Sequence, residues 1–95
     1  MRINFGIDHT LTHLWLNQNQ IKDTGAQSLA EALKTNQSLK ELYLYNNQIG
    51  DNGAQNLAEA LKINKTLTTL YLPKSISAAT QARLKQQDSR MNFDY

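Results

Sequence analysis

LTHLWLNQNQI at residues 11–21 and LKELYLYNNQI at residues 39–49 are one phrase written twice, 28 residues apart. Leu11, Leu14, Leu16, Asn19 and Ile21 recur as Leu39, Leu42, Leu44, Asn47 and Ile49. The agreement continues beyond the phrase. Gly25, Ala26, Leu29, Ala30, Ala32 and Leu33 recur as Gly53, Ala54, Leu57, Ala58, Ala60 and Leu61, so that residues 11–38 and 39–66 match at 17 of 28 positions. A third copy opens with Leu67, Leu70 and Leu72 and loses the pattern at Pro73. A chain that repeats at this period is built from one supersecondary unit stacked on itself.

Each unit changes its hydrophobic period part way along. Leu14-Trp15-Leu16 and Leu42-Tyr43-Leu44 alternate as a short strand does. Ala26, Leu29, Ala30 and Leu33, and their copies, recur at helical spacing. Asp23 and Asp51 fall near the helix start and Lys34 and Lys62 near its end, which suits the helix dipole. Asn36 and Asn64 follow the last helical leucine and read as stops in left-handed geometry. A unit of strand, turn, helix and turn cannot bury its own apolar faces. Stacking closes the core, with parallel strands on one side and helices outside.

The wider composition fits that scheme. Leu occurs 14 times and Asn with Gln 19 times among 95 residues. Both excesses fall at periodic positions, so the Asn and Gln content is no low-complexity tract. Asn19 and Asn47 sit where the chain turns after each strand, where a side-chain amide can bond backbone groups of neighbouring turns. We read them as a structural ladder.

These residues resemble the leucine-rich repeat pattern L-x-x-L-x-L-x-x-N-x-I/L over residues 11–72. The 28-residue length and the Gly-Ala…Leu-Ala-x-Ala-Leu helix are similar to the ribonuclease-inhibitor-like subtype, as in Ran GTPase-activating proteins and NOD-like receptors. The resemblance implies an α/β fold. It is a short right-handed solenoid with parallel strands on the concave face and helices on the convex face. It also implies a non-enzymatic module that binds protein through the concave face, in the cytoplasm. The chain departs from the family's pattern in having two repeats and a fraction, and in placing Ser75 where a ladder Asn belongs, with Ile76 serving for the following Ile if one residue is deleted.

The expected organisation is an N-terminal cap or extended segment over 1–10, repeats over 11–38 and 39–66 with a third starting at 67, and a capping helix and tail over 73–95. Ile3, Phe5 and Ile7 alternate as a strand would, although counting back by one repeat sets Phe5 opposite Leu33 as a decayed helix end. Residues 75–87 predict the closing helix, capped by Ser75 or Ser77, with Ala78, Ala79, Ala82 and Leu84 on its inner face. Met91, Phe93 and Tyr95 alternate, but a short tail is expected to fray.

If Leu14, Leu16 and their copies face the core, their neighbours face the concave surface in three columns. The first is His13, Glu41 and Thr69; the second Trp15, Tyr43 and Tyr71; the third Asn17, Tyr45 and Pro73. The fold asks only for polarity in the second column, so its aromatic rings read as a partner-binding face, with His13, Trp15, Glu41, Tyr43, Tyr45 and Tyr71 as the contact residues. Cross-strand packing among the rings is the plainer alternative. Two repeats leave sheet edges and apolar surface, which predicts a homodimer or higher oligomer. Pro73 is expected to blunt the last strand, leaving the first, Thr12–Asn17, as the edge that pairs.

Other chemistry is not legible. The net charge of +2 gives no argument for nucleic acid or an anionic membrane, and the absence of cysteine removes disulfides, thiolate zinc sites and cysteine catalysis. No cofactor is expected. His9 and His13 are four apart, but the repeat puts them on a loop and a strand, not on one helix face, so they do not read as a metal site; His13 is placed instead to pair with Glu41. Asn36-Gln37-Ser38 and Asn64-Lys65-Thr66 match the glycosylation triplet at the same repeat position, which the repeat itself explains.

Overall fold

The computed structural model describes residues 11–17 and 19–93 of the 95. The reading of residues 1–10 therefore falls outside the described residues. Among the described residues, four short strands alternate with three helices: β1 (His13–Trp15), α1 (Asp23–Leu33), β2 (Glu41–Tyr43), α2 (Asp51–Ile63), β3 (Thr69–Tyr71), α3 (Ala78–Gln87) and β4 (Met91–Asn92). The strands form one sheet in chain order, and every neighbouring pair is parallel. Parallel neighbours require a crossover, and here each crossover is a helix packed on the same side of the sheet. The result is the short α/β solenoid that the repeat implies.

The core is the leucine phrase seen end on. Leu42 and Leu70 on the strands, Leu44 and Leu72 just after them, and Leu39 and Leu67 before them are all buried, as are Leu29, Leu33, Leu57 and Leu61 from the helices. Leu11, Leu14 and Leu16, in the first described unit, are only partly buried against this cluster. Small residues set the helix spacing. A Cβ added at Gly53 would lie 2.7 Å from Asp23 Oδ1, 2.8 Å from Ile49 Cγ2 and 3.0 Å from Ala26 Cβ, so only glycine lets α2 approach α1 this closely.

Hydrogen bonds repeat in register with the strands. The buried Asn47 side chain accepts from the Ile21 N–H at 3.0 Å and donates to the Leu16 and Leu44 carbonyls, each at 2.9 Å. Asn19 donates to Leu16 O at 2.9 Å from an exposed position. At the third rung the Ser75 hydroxyl takes over part of the role, donating to Ile49 O at 2.7 Å, and Ile76 enters the core. The helix-initial aspartates form a further series: Asp23 Oδ1 accepts from the Gly50 N–H at 2.7 Å, and Asp51 Oδ1 from the Ser77 N–H at 2.9 Å.

Asn36 and Asn64 do not act as left-handed stops. The one positive-φ residue other than glycine among those described is Asn46, at φ 59°, and Asn64 is extended at φ −82°. Both side chains are buried and make a second ladder. Asn64 donates to Leu33 O at 2.7 Å and Asn36 O at 3.0 Å, and accepts from the Thr66 and Leu67 N–H groups. Asn36 accepts from the Ser38 and Leu39 N–H groups in the same way. Both triplet asparagines thus bond backbone groups at the same repeat position.

The C-terminal end corrects three expectations. The closing helix starts at Ala78, with the Ser77 hydroxyl accepting from the Thr80 N–H at 3.3 Å. Its buried residues are Thr80 and Leu84, while Ala78, Ala79 and Ala82 are exposed. The cause is register: the helix turns on the Thr80–Leu84 stripe, spaced four apart. Met91 and Phe93 are not a frayed tail. β4 pairs with β3, and both side chains are buried. Pro73 consequently does not guard an edge, because β3 is an interior strand.

Candidate interaction face

The strand register places the columns. His13, Glu41 and Thr69 lie side by side, as do Trp15, Tyr43 and Tyr71. Strands about 4.8 Å apart hold flat side chains at near-stacking distance. The Trp15 and Tyr43 ring centroids are 3.7 Å apart with the planes 4° from parallel, and Tyr43 and Tyr71 are 5.2 Å apart at 8°. The three rings form one stack across three strands.

The stack divides the roles of its members. Tyr43 in the middle is only 9% exposed, so its faces are used by its neighbours. Trp15 is 55% exposed, one of two large apolar side chains that stand out from the surface among the described residues. Tyr71 is half-buried. Cross-strand packing and an outward apolar surface therefore coexist, with packing dominating at Tyr43 and surface at Trp15.

Polar groups border the rings. Glu41 Oε2 lies 3.2 Å from His13 Nε2, and the Tyr43 hydroxyl donates to Glu41 Oε1. Thr12 Oγ1 lies 2.9 Å from His13 Nδ1. The His13–Glu41 pair is solvated and contributes at most about 1 kcal/mol. Its effect is orientational, since it fixes the Glu41 carboxylate beside the Tyr43 ring. Tyr45, half-buried, lines a small groove of about 170 Å³ with Pro73, Lys74 and Ser75. Sequence reasoning did not extend the aromatic column to β4, where Asn92 pairs with Tyr71. It also overlooked Arg90, which holds that end together. The signal was present in the alternation of Met91 and Phe93.

Among the described residues, no cluster of three His, Cys, Asp or Glu side chains is placed to hold a metal ion. His9 falls outside the described residues. No described helix is long and apolar enough to cross a membrane.

A parallel sheet whose first three strands recur every 28 residues, with an inward leucine phrase and a buried asparagine ladder, defines a leucine-rich repeat protein. A family model for leucine-rich repeats, two copies, matches residues 9–59, and the chain belongs to that family. No curated protein matches. Among solved structures, the chain is similar to leiomodin-1 actin-binding site 2, with a TM-score of 0.83 and 21% identity over 95% of this chain. The match spans 57% of that structure's chain, and at this identity it speaks for the fold.

Proposed function

We propose that this chain is a non-enzymatic interaction module whose concave face, centred on Trp15, Tyr43 and Tyr71, binds a protein partner. The observation that carries the proposal is the 55% exposure of Trp15 at a position where the fold asks only for polarity. Aromatic rings held rigid by stacking lose little entropy on binding and are favoured at interface hot spots. His13, Glu41 and Tyr45 supply the polar and ring contacts at the border. Membership of the ribonuclease-inhibitor-like subtype is part of this reading, supported by the 28-residue period and the 11- and 13-residue helices. A cytoplasmic setting follows from the same resemblance.

The test is affinity capture with the full chain and with a Trp15→Ala/Tyr71→Ala variant, scored for partners retained by the first and lost by the second. Actin is one bait in that assay, because the leiomodin domain of similar fold is an actin-binding site. A second reading, self-association through the aromatic face, is favoured by the 55% exposure of Trp15, which stacks on Tyr43.

A further inference from the structure

We infer that the concave face takes a basic segment of its protein partner, with a lysine or arginine side chain laid over Thr69 and its charge against the Glu41 carboxylate. The inference rests on the concave-face reading and adds to it the chemistry of the occupant.

Charge is spread unevenly over the chain. The outward positions of the first three strands are His13 and Trp15, Glu41 and Tyr43, and Thr69 and Tyr71. Every described lysine and arginine lies in a helix or a connection instead. Among the six outward side chains Glu41 alone is an acid. A chain of net charge +2 therefore presents a strand face with a negative centre.

The carboxylate is held in place but not neutralised. Its Oε1 accepts from the Tyr43 hydroxyl, and its Oε2 lies 3.2 Å from His13 Nε2. Thr12 Oγ1 lies 2.9 Å from His13 Nδ1. A hydroxyl that donates there leaves the proton of a neutral imidazole on Nε2, facing Glu41. Among the described residues, the ion pairs of lysine and arginine go to Glu31, Glu59 and Asp88, not to Glu41. A carboxylate that accepts two bonds keeps about two further lone-pair sites.

The neighbours of Glu41 shape the place beside it. Thr69 stands next to Glu41 and Tyr71 next to Tyr43. Thr69 is the smallest of the six outward side chains, so the face dips between the carboxylate on one side and the stacked Tyr43 and Tyr71 rings at one end.

These features select the occupant. A partner that covers the rings also takes Glu41 out of water. A carboxylate enclosed without a counter-charge is strongly disfavoured, and one facing a like charge more so. Acidic and purely apolar segments are excluded on that ground. A lysine or arginine meets both demands at once, since its methylene stem lies along apolar ring surface while its head reaches the carboxylate.

The test is selection from a displayed library of random linear peptides on the full-length chain. Depletion on the Trp15→Ala/Tyr71→Ala variant first removes peptides that bind elsewhere. The expected result is a set of retained peptides that share a basic residue. A synthetic member should bind Glu41→Gln at least tenfold more weakly, with the far-UV spectrum unchanged. If Glu41→Gln does not keep the native spectrum, the same loss is read on the wild type with the peptide's basic residue replaced by glutamine. Retained peptides with no basic residue in common, or an affinity indifferent to these charge removals, overturn the cation while the concave-face reading stands. Selection of no peptide that distinguishes the wild type from the double variant overturns both.

Discussion

Arg90 donates from Nη1 to the Asn64 carbonyl at 2.9 Å, and that carbonyl is the repeat counterpart of the Asn36 carbonyl bonded by the Asn64 amide at 3.0 Å. The correspondence extends to a second acceptor. Asn64 also bonds Leu33 O, and Arg90 Nη2 bonds Leu61 O, one repeat on, at 2.7 Å. A guanidinium thus fills the place of the next ladder asparagine. It adds a bond to Leu67 O at 2.7 Å and a forked pair with Asp88. The shortened third unit has no room for another asparagine loop, and the longer, five-donor side chain reaches across instead.

Removing this plug should be costly. Arg90→Ala leaves three carbonyls without their guanidinium partner and the Asp88 carboxylate with the backbone N–H of residue 90 alone, and we expect a loss of about 2–4 kcal/mol, since each unsatisfied buried group costs about 1–3 kcal/mol and water recovers part of it. Arg90→Lys should recover less than half, because an ammonium lacks the planar fork. Urea denaturation followed by circular dichroism gives both values; equal stabilities for Arg90→Ala and wild type would refute the role.

The two ladder asparagines of the first series should differ. Asn47→Ala removes a buried amide that bonds Ile21 N–H, Leu16 O and Leu44 O, and should cost about 2–3 kcal/mol. Asn19→Ala acts at an exposed position and should cost under about 1 kcal/mol. The same denaturation series compares them, and the reverse order would show that the ladder does not stabilise through burial.

Gly53 gives a prediction in which two effects oppose each other. Alanine in a helix is favoured over glycine by about 1 kcal/mol. Here the new Cβ would press on Asp23 Oδ1, Ile49 Cγ2 and Ala26 Cβ, all within 3.0 Å. Asp23 is itself held by the Gly50 N–H. Overpacking of this kind costs about 1–3 kcal/mol, so Gly53→Ala should be net destabilising. A raised thermal midpoint would mean that the α1–α2 contact yields easily.

Acid should weaken the C-terminal closure. The Arg90 side chain holds the Asp88 carboxyl below its ordinary value of 3.8, and the Ser77 backbone N–H does the same for Asp51. A carboxyl depressed on folding contributes stability that is present above its unfolded pKa and is lost as pH falls through the folded one. Stability should therefore decline once pH drops below about 4, and Asp88→Asn should show a shallower decline. Denaturation midpoints measured from neutral pH downward give the slopes; identical slopes would remove Asp88 from the acid response.

What the sequence made legible follows from what repeats. Leu14, Leu42 and Leu70 return at a constant 28-residue interval, so the strands, helices and inward leucines of the first two units stand where the alignment puts them. Met91 pairs with Leu70 only 21 residues on, and a search at the longer period reads the fourth strand as a tail. Asn36 and Asn64 recur as faithfully as Asn19 and Asn47. Their role depends on carbonyls one repeat away, which only the stacked structure brings near. The aromatic column was legible in full, but not that Tyr43 is sheltered between Trp15 and Tyr71.

That sheltering dictates the choice of variants for the central claim. Truncating Tyr43 would remove a packed ring and confound folding with binding, whereas Trp15 and Tyr71 sit at the ends of the stack. The most direct measurement is the dissociation constant of a captured protein partner for wild type and for Trp15→Ala/Tyr71→Ala, with unfolding measured on both. The account predicts at least a tenfold weaker complex, about 1.4 kcal/mol, with the native far-UV spectrum kept. Equal affinity in a folded double variant would contradict it.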